Sequence, residues 1–139
     1  MSINLKQLGD GGGGLEGKDG GNGAFMVFTM NYNVPVAATA TLMFVATRSM
    51  VIDAIVGRTS VAGVGGAASV AFWKAPSGTA PISGTALHSG SFDMTGTINT
   101  TQTLALTSLT LAVGDAVSAV FTGVATSAIG GITIHCRPV

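Results

Sequence analysis

The sequence between residues 131 and 137 reads Gly131-Ile132-Thr133-Ile134-His135-Cys136-Arg137. Successive side chains of a β-strand point to opposite faces of the sheet. Ile132, Ile134 and Cys136 would therefore share one face, and the polar residues between them the other. This strict period of two predicts a half-buried strand with its apolar face on a core.

The chain from residue 24 onward repeats this kind of pattern in short segments separated by Gly, Pro and Asp. Thr, Val, Ile and Phe favour strands, whereas strong helix formers are scarce: no Glu follows Glu16, and Lys74 is the one Lys after Lys18. We predict an all-β domain, a jelly-roll-like antiparallel β-sandwich of about eight strands. The candidate strands are 24–31, 40–46, 50–56, 69–74, 85–92, 97–106, 116–122 and 131–137.

Two further strands alternate clearly enough to assign their faces. In one, Val117, Ala119 and Phe121 would point inward, and Ser118 would point outward. In the other, Val70 and Phe72 would point inward, with Ser69, Ala71 and Trp73 outward.

The segment Phe25-Met26-Val27-Phe28-Thr29-Met30 does not alternate, because both of its faces are apolar. We expect it to be covered on both sides, one cover being either another subunit or a loop of the same chain. An outward Trp73 beside Lys74 is an interface anchor, a sugar-stacking platform, or a ring covered by the Pro-containing loop 75–85. The candidate interface residues are Phe25, Met26, Phe28, Met30 and Trp73.

Residues 1–23 differ from the rest of the chain because they are dominated by Gly and carry few large apolar residues. Such a segment cannot bury enough apolar surface to offset the entropy of ordering it. We predict two parts, a flexible Gly-rich N-terminal arm at 1–23 and the β-sandwich at 24–139. A coil of that length spans about 25–30 Å, which would reach a neighbouring subunit.

The composition excludes several partners. Charged residues make up 9% of the chain, with six basic and six acidic residues and a formal net charge of zero. Without a basic surplus to neutralise phosphates, we expect no nucleic-acid partner. The apolar runs are too short for a membrane-spanning helix of about 20 residues, so we expect no membrane partner. The N-terminus also lacks the apolar stretch of a signal peptide, which predicts synthesis in a cytoplasm.

No motif predicts a cofactor or a metal. Gly17-Lys18-Asp19 has Asp where a phosphate-binding loop needs Ser or Thr. His135 and Cys136 are adjacent on a predicted strand and so point to opposite faces, which argues against a shared ion. We expect an exposed His135 and a buried Cys136. As the only cysteine, Cys136 cannot form an intrachain disulfide.

The residues also argue against an enzyme. The acids after the arm are Asp53, Asp93 and Asp115, far apart in sequence, whereas a glycosidase needs two carboxylates beside one sugar. We expect Asp115 to serve a Gly-Asp turn and Asp53 to pair with Arg48 or Arg58. No Gly-x-Ser-x-Gly elbow followed by an acid and a His is present. We therefore predict no catalytic residues and no small-molecule substrate.

Three strings in the centre of the chain resemble small structural proteins of tailed phages, in particular the cement (decoration) proteins of short-tailed phage capsids such as that of a Bordetella phage. The strings are Phe72-Trp73-Lys74-Ala75-Pro76-Ser77-Gly78-Thr79, Ser83-Gly84-Thr85-Ala86-Leu87-His88-Ser89-Gly90-Ser91-Phe92 and Leu109-Thr110-Leu111-Ala112-Val113-Gly114-Asp115-Ala116-Val117. The likeness covers roughly residues 41–137 and consists of turn-and-strand patterns, without chemical signatures. The Gly-rich arm is not part of it.

The resemblance implies a jelly-roll subunit on the outside of a virion capsid, made in the host cytoplasm. It implies a homodimer that binds the major capsid protein and has no catalytic residues. Similar strings occur in phage tail and fibre modules. A receptor- or glycan-binding module of a tail or fibre is therefore the alternative.

Overall fold

The computed structural model describes residues 25–36, 40–96 and 98–139. Ten strands and a short 3-10 turn at Pro81–Ser83 form two antiparallel sheets. The predicted arm at 1–23 lies outside the described residues. The strands are β1 (Met26–Val36), β2 (Ala40–Val45), β3 (Met50–Val61), β4 (Ala68–Ala75), β5 (Thr85–Ala86), β6 (Phe92–Asp93), β7 (Thr101–Thr103), β8 (Thr110–Leu111), β9 (Ala116–Gly123) and β10 (Ala125–Pro138).

The topology is that of a jelly roll. Sheet A runs β1-β10-β3, with β7 and β8 both paired to β3, and sheet B runs β2-β9-β4, with β5 and β6 both paired to β4. The chain crosses from one sheet to the other at most connections, so that early strands pair with late ones. The sandwich predicted from the alternating segments is confirmed.

The ten strands fill eight positions, because β5 with β6 and β7 with β8 each act as one interrupted strand. The predicted strand 85–92 is thus divided, and its middle turns away from β4. Residues 110–111, which lie outside the eight candidate ranges, pair with β3 just before the Gly-Asp turn. Five of the remaining predicted strands are present and longer, most of all β3 and β10. The other two are shorter: 40–46 ends at Val45, and only Thr101–Thr103 of 97–106 is a strand.

The core lies between the two sheets and consists of the inward faces that alternation predicted. Ile132, Ile134 and Cys136 of β10 are fully buried, as are Val70 and Phe72 of β4. On β9, Val117, Ala119 and Phe121 are also buried as predicted. Burial of a Val, Ile or Phe side chain contributes about 1.5–3 kcal/mol, so these faces provide the main force that joins the sheets.

Ser118 points outward as predicted but is nevertheless buried. Ser118 of β9 is 0% exposed although its neighbours 117 and 119 face the core. Its cross-strand neighbours on the outer face are Leu42 and Trp73, both much larger than Ser. A small side chain between two large ones is covered even on the solvent side of a sheet.

Close packing at the centre of sheet A depends on Gly57. An added Cβ there would lie 2.7 Å from Ile132 Cγ1 and 2.9 Å from a ring carbon of Phe92. Real Cβ atoms do not approach other carbons this closely. A glycine at this position therefore lets the ring of Phe92, from sheet B, reach the backbone of sheet A.

Candidate interaction surface

The first strands of the two sheets lie on the same side of the sandwich. Among the described residues, β1 pairs with β10 alone and β2 pairs with β9 alone, so each has one edge without a strand partner. Edge strands present unpaired N–H and C=O groups to which another extended segment can add. This side of the molecule therefore offers two such edges next to each other.

Apolar side chains fill the gap between these edges. Met26, Phe28 and Met30 of β1 and Met43 and Phe44 of β2 pack against the core but remain partly exposed. The rings of Phe28 and Phe44 are stacked, with centroids 3.6 Å apart and planes within 9°. We call these five residues and the two free edges the open flank, because here the hydrophobic core reaches the surface.

The outer face of β1 extends the apolar surface around the edge. Phe25 is 66% exposed and Val27 is 55% exposed. The inner face of residues 25–30 is therefore covered by the core, whereas the outer face meets solvent in the single chain. A cover over that outer face stays a prediction, and in this fold it would have to come from outside the described residues.

Trp73 lies on sheet B, whereas residues 26–30 belong to sheet A. It belongs to β4, which β9 separates from β2, and its cross-strand neighbours are Ser118 and Ala86. The indole is partly buried on the outer face of sheet B. The structure therefore brings Phe25, Met26, Phe28 and Met30 together but does not place Trp73 beside them.

His88 is buried, and its ring is hydrogen-bonded to the backbone of the sandwich. Its ring is 4% exposed, and its Nε2 accepts a hydrogen bond of 2.8 Å from the backbone N–H of Phe72. Nδ1 lies 3.3 Å from the carbonyl oxygen of Ser89, to which it can donate. Burial lowers the pKa of His88 below its ordinary value of 6.5, partly offset by hydrogen bonds to backbone carbonyls. If β5 and β6 formed one continuous strand, a backbone carbonyl of that strand would accept the hydrogen bond from the Phe72 N–H. Here the neutral ring of His88 accepts it instead.

His135 and Cys136 occupy opposite faces of β10, as predicted. Cys136 is 0% exposed, and burial, with a smaller effect of the Asp53 charge, raises the pKa of its thiol to about 11. His135 is partly buried, not fully exposed as we expected. Cys136 therefore behaves as a small apolar residue of the core.

The described Asp side chains each accept a hydrogen bond within the fold. Asp53 Oδ1 accepts from Arg137 Nε at 2.9 Å, so the expected pairing with Arg48 or Arg58 was wrong. The reason is a register shift between His135 and Cys136, which sets the positions of the outward residues of β10 relative to β3.

The other two acids stabilise turns. Asp93 Oδ1 accepts from the N–H groups of Thr95 and Gly96, and the first of these hydrogen bonds is the main reason that the pKa of Asp93 is lowered. Asp115 Oδ2 accepts from the N–H of Ala112 at 2.9 Å, which confirms its predicted role in the turn. In the part of the chain that the structure describes, no three His, Cys, Asp or Glu side chains converge on a possible metal site.

A shallow groove crosses the outer face of sheet A. Its floor is the Gly130-Gly131 pair of β10, and its walls include Asn31, Arg58 and Thr133. The groove encloses about 490 Å³ and carries no carboxylate among its lining residues. Sequence reasoning missed it, because Gly130 lies outside the predicted strand 131–137 and Gly131 is only its first residue, although glycine inside a strand is a recognised sign of close approach to a backbone.

Among residues 25–36, 40–96 and 98–139, the structure contains no helix long and apolar enough to cross a membrane. No protein-family model matches the chain, and no curated protein matches it significantly.

A solved structure shares its architecture. A chain of the cyanophage Pam1 capsid asymmetric unit superimposes with a TM-score of 0.52 at 10% identity, over 84% of this chain and 84% of that one. Two weaker likenesses have TM-scores of 0.34. They are a chain of the Bacillus endospore appendages (18% identity, 84% and 90% covered) and one of infectious bursal disease virus strain Gt (12%, 81% and 32% covered). TM-scores of 0.34 do not establish a common fold. The similarity to the cyanophage capsid chain, at 0.52, indicates a shared jelly roll.

Proposed function

We propose that this protein is a non-enzymatic structural component of a phage particle, a cement protein that binds the outside of the capsid and stabilises contacts between major capsid protein subunits. The observation that carries the proposal is the jelly roll shared with a chain of a cyanophage capsid asymmetric unit, over 84% of both chains. The turn-and-strand strings of residues 72–117 support the same assignment independently.

The side chains capable of chemistry support a structural role. Cys136 is buried in the core, and His88 is buried at the interruption between β5 and β6. Asp53 pairs with Arg137, whereas Asp93 and Asp115 accept hydrogen bonds from turn backbone. A catalytic site needs a nucleophile, a base and a stabilising group within reach of one substrate atom. The described residues place these groups apart.

The open flank supports attachment to other protein subunits. With 9% charged residues and zero net charge, the surface provides few ion pairs, so attachment depends on apolar burial and backbone pairing. We assign the main contact to Phe25, Met26, Phe28 and Met30, and a separate minor one to Trp73. The partners would be the major capsid protein and a second copy of this chain, with a homodimer favoured.

Repetition makes weak contacts sufficient. A capsid presents the same site at every subunit, so a dimer that engages two sites binds far more tightly than either contact alone. The free energy of each contact can then remain modest.

Co-sedimentation with purified capsids tests the proposal. The protein should be present at a copy number close to that of the shell subunit. It should also remain bound between low and high salt, because screening weakens ion pairs but not apolar burial. A double change Phe25→Asp and Val27→Asp should reduce the bound fraction. Val113→Asp, at a turn valine of similar exposure (67%), should not.

Particles that contain only a few copies would contradict the cement role. Such a result would instead favour the alternative, a receptor- or glycan-binding module of a tail or fibre. The groove beside Arg58 and the partly exposed Trp73 are the two features that fit it. In that case glycan binding should be lost with Arg58→Ala or Trp73→Ala.

A further inference from the structure

The groove on the outer face of sheet A runs over Gly131 and combines one arginine with several hydroxyl and amide side chains. We propose that this groove binds an acidic saccharide. Arg58 would hold the sugar carboxylate, and the surrounding hydroxyl and amide side chains would hold the ring hydroxyls. The inference concerns a ligand site on the isolated protein, so it does not depend on the proposed attachment to a capsid.

The groove exists because β10 has no side chain at position 131. Asn31 of β1 and Arg58 of β3 are the two cross-strand partners of Gly131. They therefore form opposite walls, and the backbone of β10 forms the floor. A Cβ added to Gly131 would lie 3.0 Å from the side-chain oxygen of Asn31. A larger residue at this position would take up the space between the walls.

Arg58 provides a positive charge at one wall of the groove. Its side chain is exposed, and Nη2 donates to Asn99 Oδ1 at 3.3 Å. Among the described residues the one ion pair joins Arg137 to Asp53, and no carboxylate lines the groove. A guanidinium can donate two parallel hydrogen bonds to a carboxylate. Because Arg58 is the one Lys or Arg in the lining, its charge matches a single carboxylate better than a phosphate monoester, which carries about −1.5 to −2.

The rest of the lining suits a ligand with many hydroxyl groups. Five hydroxyl or amide side chains lie along the groove: Thr29, Asn31, Asn33, Ser60 and Thr133. Each can both donate and accept, so together they can pair with sugar hydroxyls in either role. Between described residues, Ser60 alone of the five makes a side-chain hydrogen bond, in which its hydroxyl donates to the carbonyl oxygen of Ile129 at 3.1 Å. The other four remain open to a ligand.

The floor contributes an apolar surface. Ile129 is 38% exposed, and Gly130 and Gly131 contribute backbone CH₂ groups. The C–H face of a sugar ring can pack there while its carboxylate and hydroxyls reach the walls. The volume of about 490 Å³ is within the range of small-ligand sites, about 300–1,000 Å³. A single Asp or Glu side chain of a partner protein would engage Arg58 but leave most of the surrounding polar groups unused, so the lining favours a saccharide over an acidic peptide.

NMR titration of the isolated protein tests the proposal. Amide signals of residues 129–133 should shift saturably with at least one of three acidic sugars, glucuronate, galacturonate and N-acetylneuraminate, with a Kd in the millimolar range. Signals of β9, in the other sheet, should not move. Glucose and galactose have the rings of the two uronates without the carboxylate. They should bind at least about fivefold more weakly, because the charged hydrogen bonds to Arg58 are lost.

Two arginine variants separate the groove from general effects of charge. Arg58→Gln should raise the Kd for the best acidic sugar at least about fivefold, since it removes the guanidinium. Arg48→Gln removes the same charge from an exposed arginine outside the groove and should leave the Kd unchanged. Gly131→Ala narrows the groove and should weaken the binding of acidic and neutral sugars alike. Unchanged amide spectra away from the groove would show that the variants are folded.

Three results would overturn the proposal. The first is the absence of saturable shifts in the groove with all three acidic sugars. The second is a Kd that Arg58→Gln leaves unchanged or that Arg48→Gln raises equally. The third is binding of N-acetylglutamate as tight as that of the best acidic sugar, which would identify an acidic peptide as the ligand. Because the titration uses isolated protein, a failed capsid-binding experiment would not alter its outcome.

Discussion

Replacing His88 by Gln and, separately, by Leu would reveal whether a neutral imidazole completes the hydrogen bonding of β4. The Nε2 atom accepts from the backbone N–H of Phe72 at 2.8 Å, in a site that is 4% exposed. Gln can place its side-chain oxygen near the same position and does not titrate. Leu fills similar space but cannot accept a hydrogen bond.

The magnitudes follow from that geometry. In His88→Leu the Phe72 N–H is buried without an acceptor, which should lower the free energy of unfolding by about 1–3 kcal/mol. His88→Gln should stay within about 1 kcal/mol of the unmodified protein at pH 7.5, since it retains the hydrogen bond.

The direction in which the free energy of unfolding changes with pH follows from the pKa of His88. Burial lowers the pKa of His88 in the folded protein, so between the two pKa values the unfolded chain binds a proton that the folded protein does not. The stability that the neutral His88 contributes is therefore complete above the unfolded-state pKa, near 6.5. It is lost progressively as the pH falls from that value to the pKa of His88 in the folded protein. The slope cannot exceed about 1.4 kcal/mol per pH unit for one group.

Urea denaturation at several pH values from 7.5 to 5 provides the measurement. The unmodified protein should lose stability across this range more steeply than His88→Gln. Equal slopes for the unmodified protein and His88→Gln would refute the reasoning. Equal stabilities of His88→Gln and His88→Leu at pH 7.5 would show that the hydrogen bond contributes nothing.

Two more outcomes can be measured on the isolated protein. Gly57→Ala should lower the free energy of unfolding by about 1–3 kcal/mol, because the new methyl group would overlap Ile132 and Phe92. Gly66→Ala, where a Cβ would make only ordinary contact, should change stability by about 0.5 kcal/mol or less, and equal effects of the two changes in thermal melts would contradict the packing argument. Because burial raises the pKa of the Cys136 thiol to about 11, iodoacetamide at pH 8 should modify it only after unfolding, and rapid labelling of the native protein by mass spectrometry would argue against this burial.

Local pattern was sufficient to predict the inner faces of the sandwich. A period of two depends only on neighbouring residues, so the burial of Ile132, Ile134, Val70 and Phe72 followed from the sequence without knowledge of strand pairing. The same reasoning predicted eight strand positions, because Gly, Pro or Asp bounds most of the apolar segments.

Features that depend on long-range pairing could not be predicted in this way. The partner of Asp53 is decided by a register shift in β10, 84 residues away in sequence. The interruption between β5 and β6 depends on a side chain, His88, that substitutes for a backbone acceptor. The open flank requires the order of strands in both sheets, which a single sequence does not contain. Only its apolar character, at residues 25–30, was visible beforehand.

The position of β10 at the centre of sheet A has a consequence for biosynthesis. Met26 pairs with Cys136, so β1 has to wait for more than a hundred further residues to be translated before its partner emerges from the ribosome. At about 5–20 residues per second, that interval lasts several seconds or longer. Folds dominated by such distant pairings also form slowly, in milliseconds to seconds. The nascent chain therefore carries an unpaired, apolar first strand throughout most of its elongation, and we expect it to need protection by a chaperone such as those that bind emerging polypeptides.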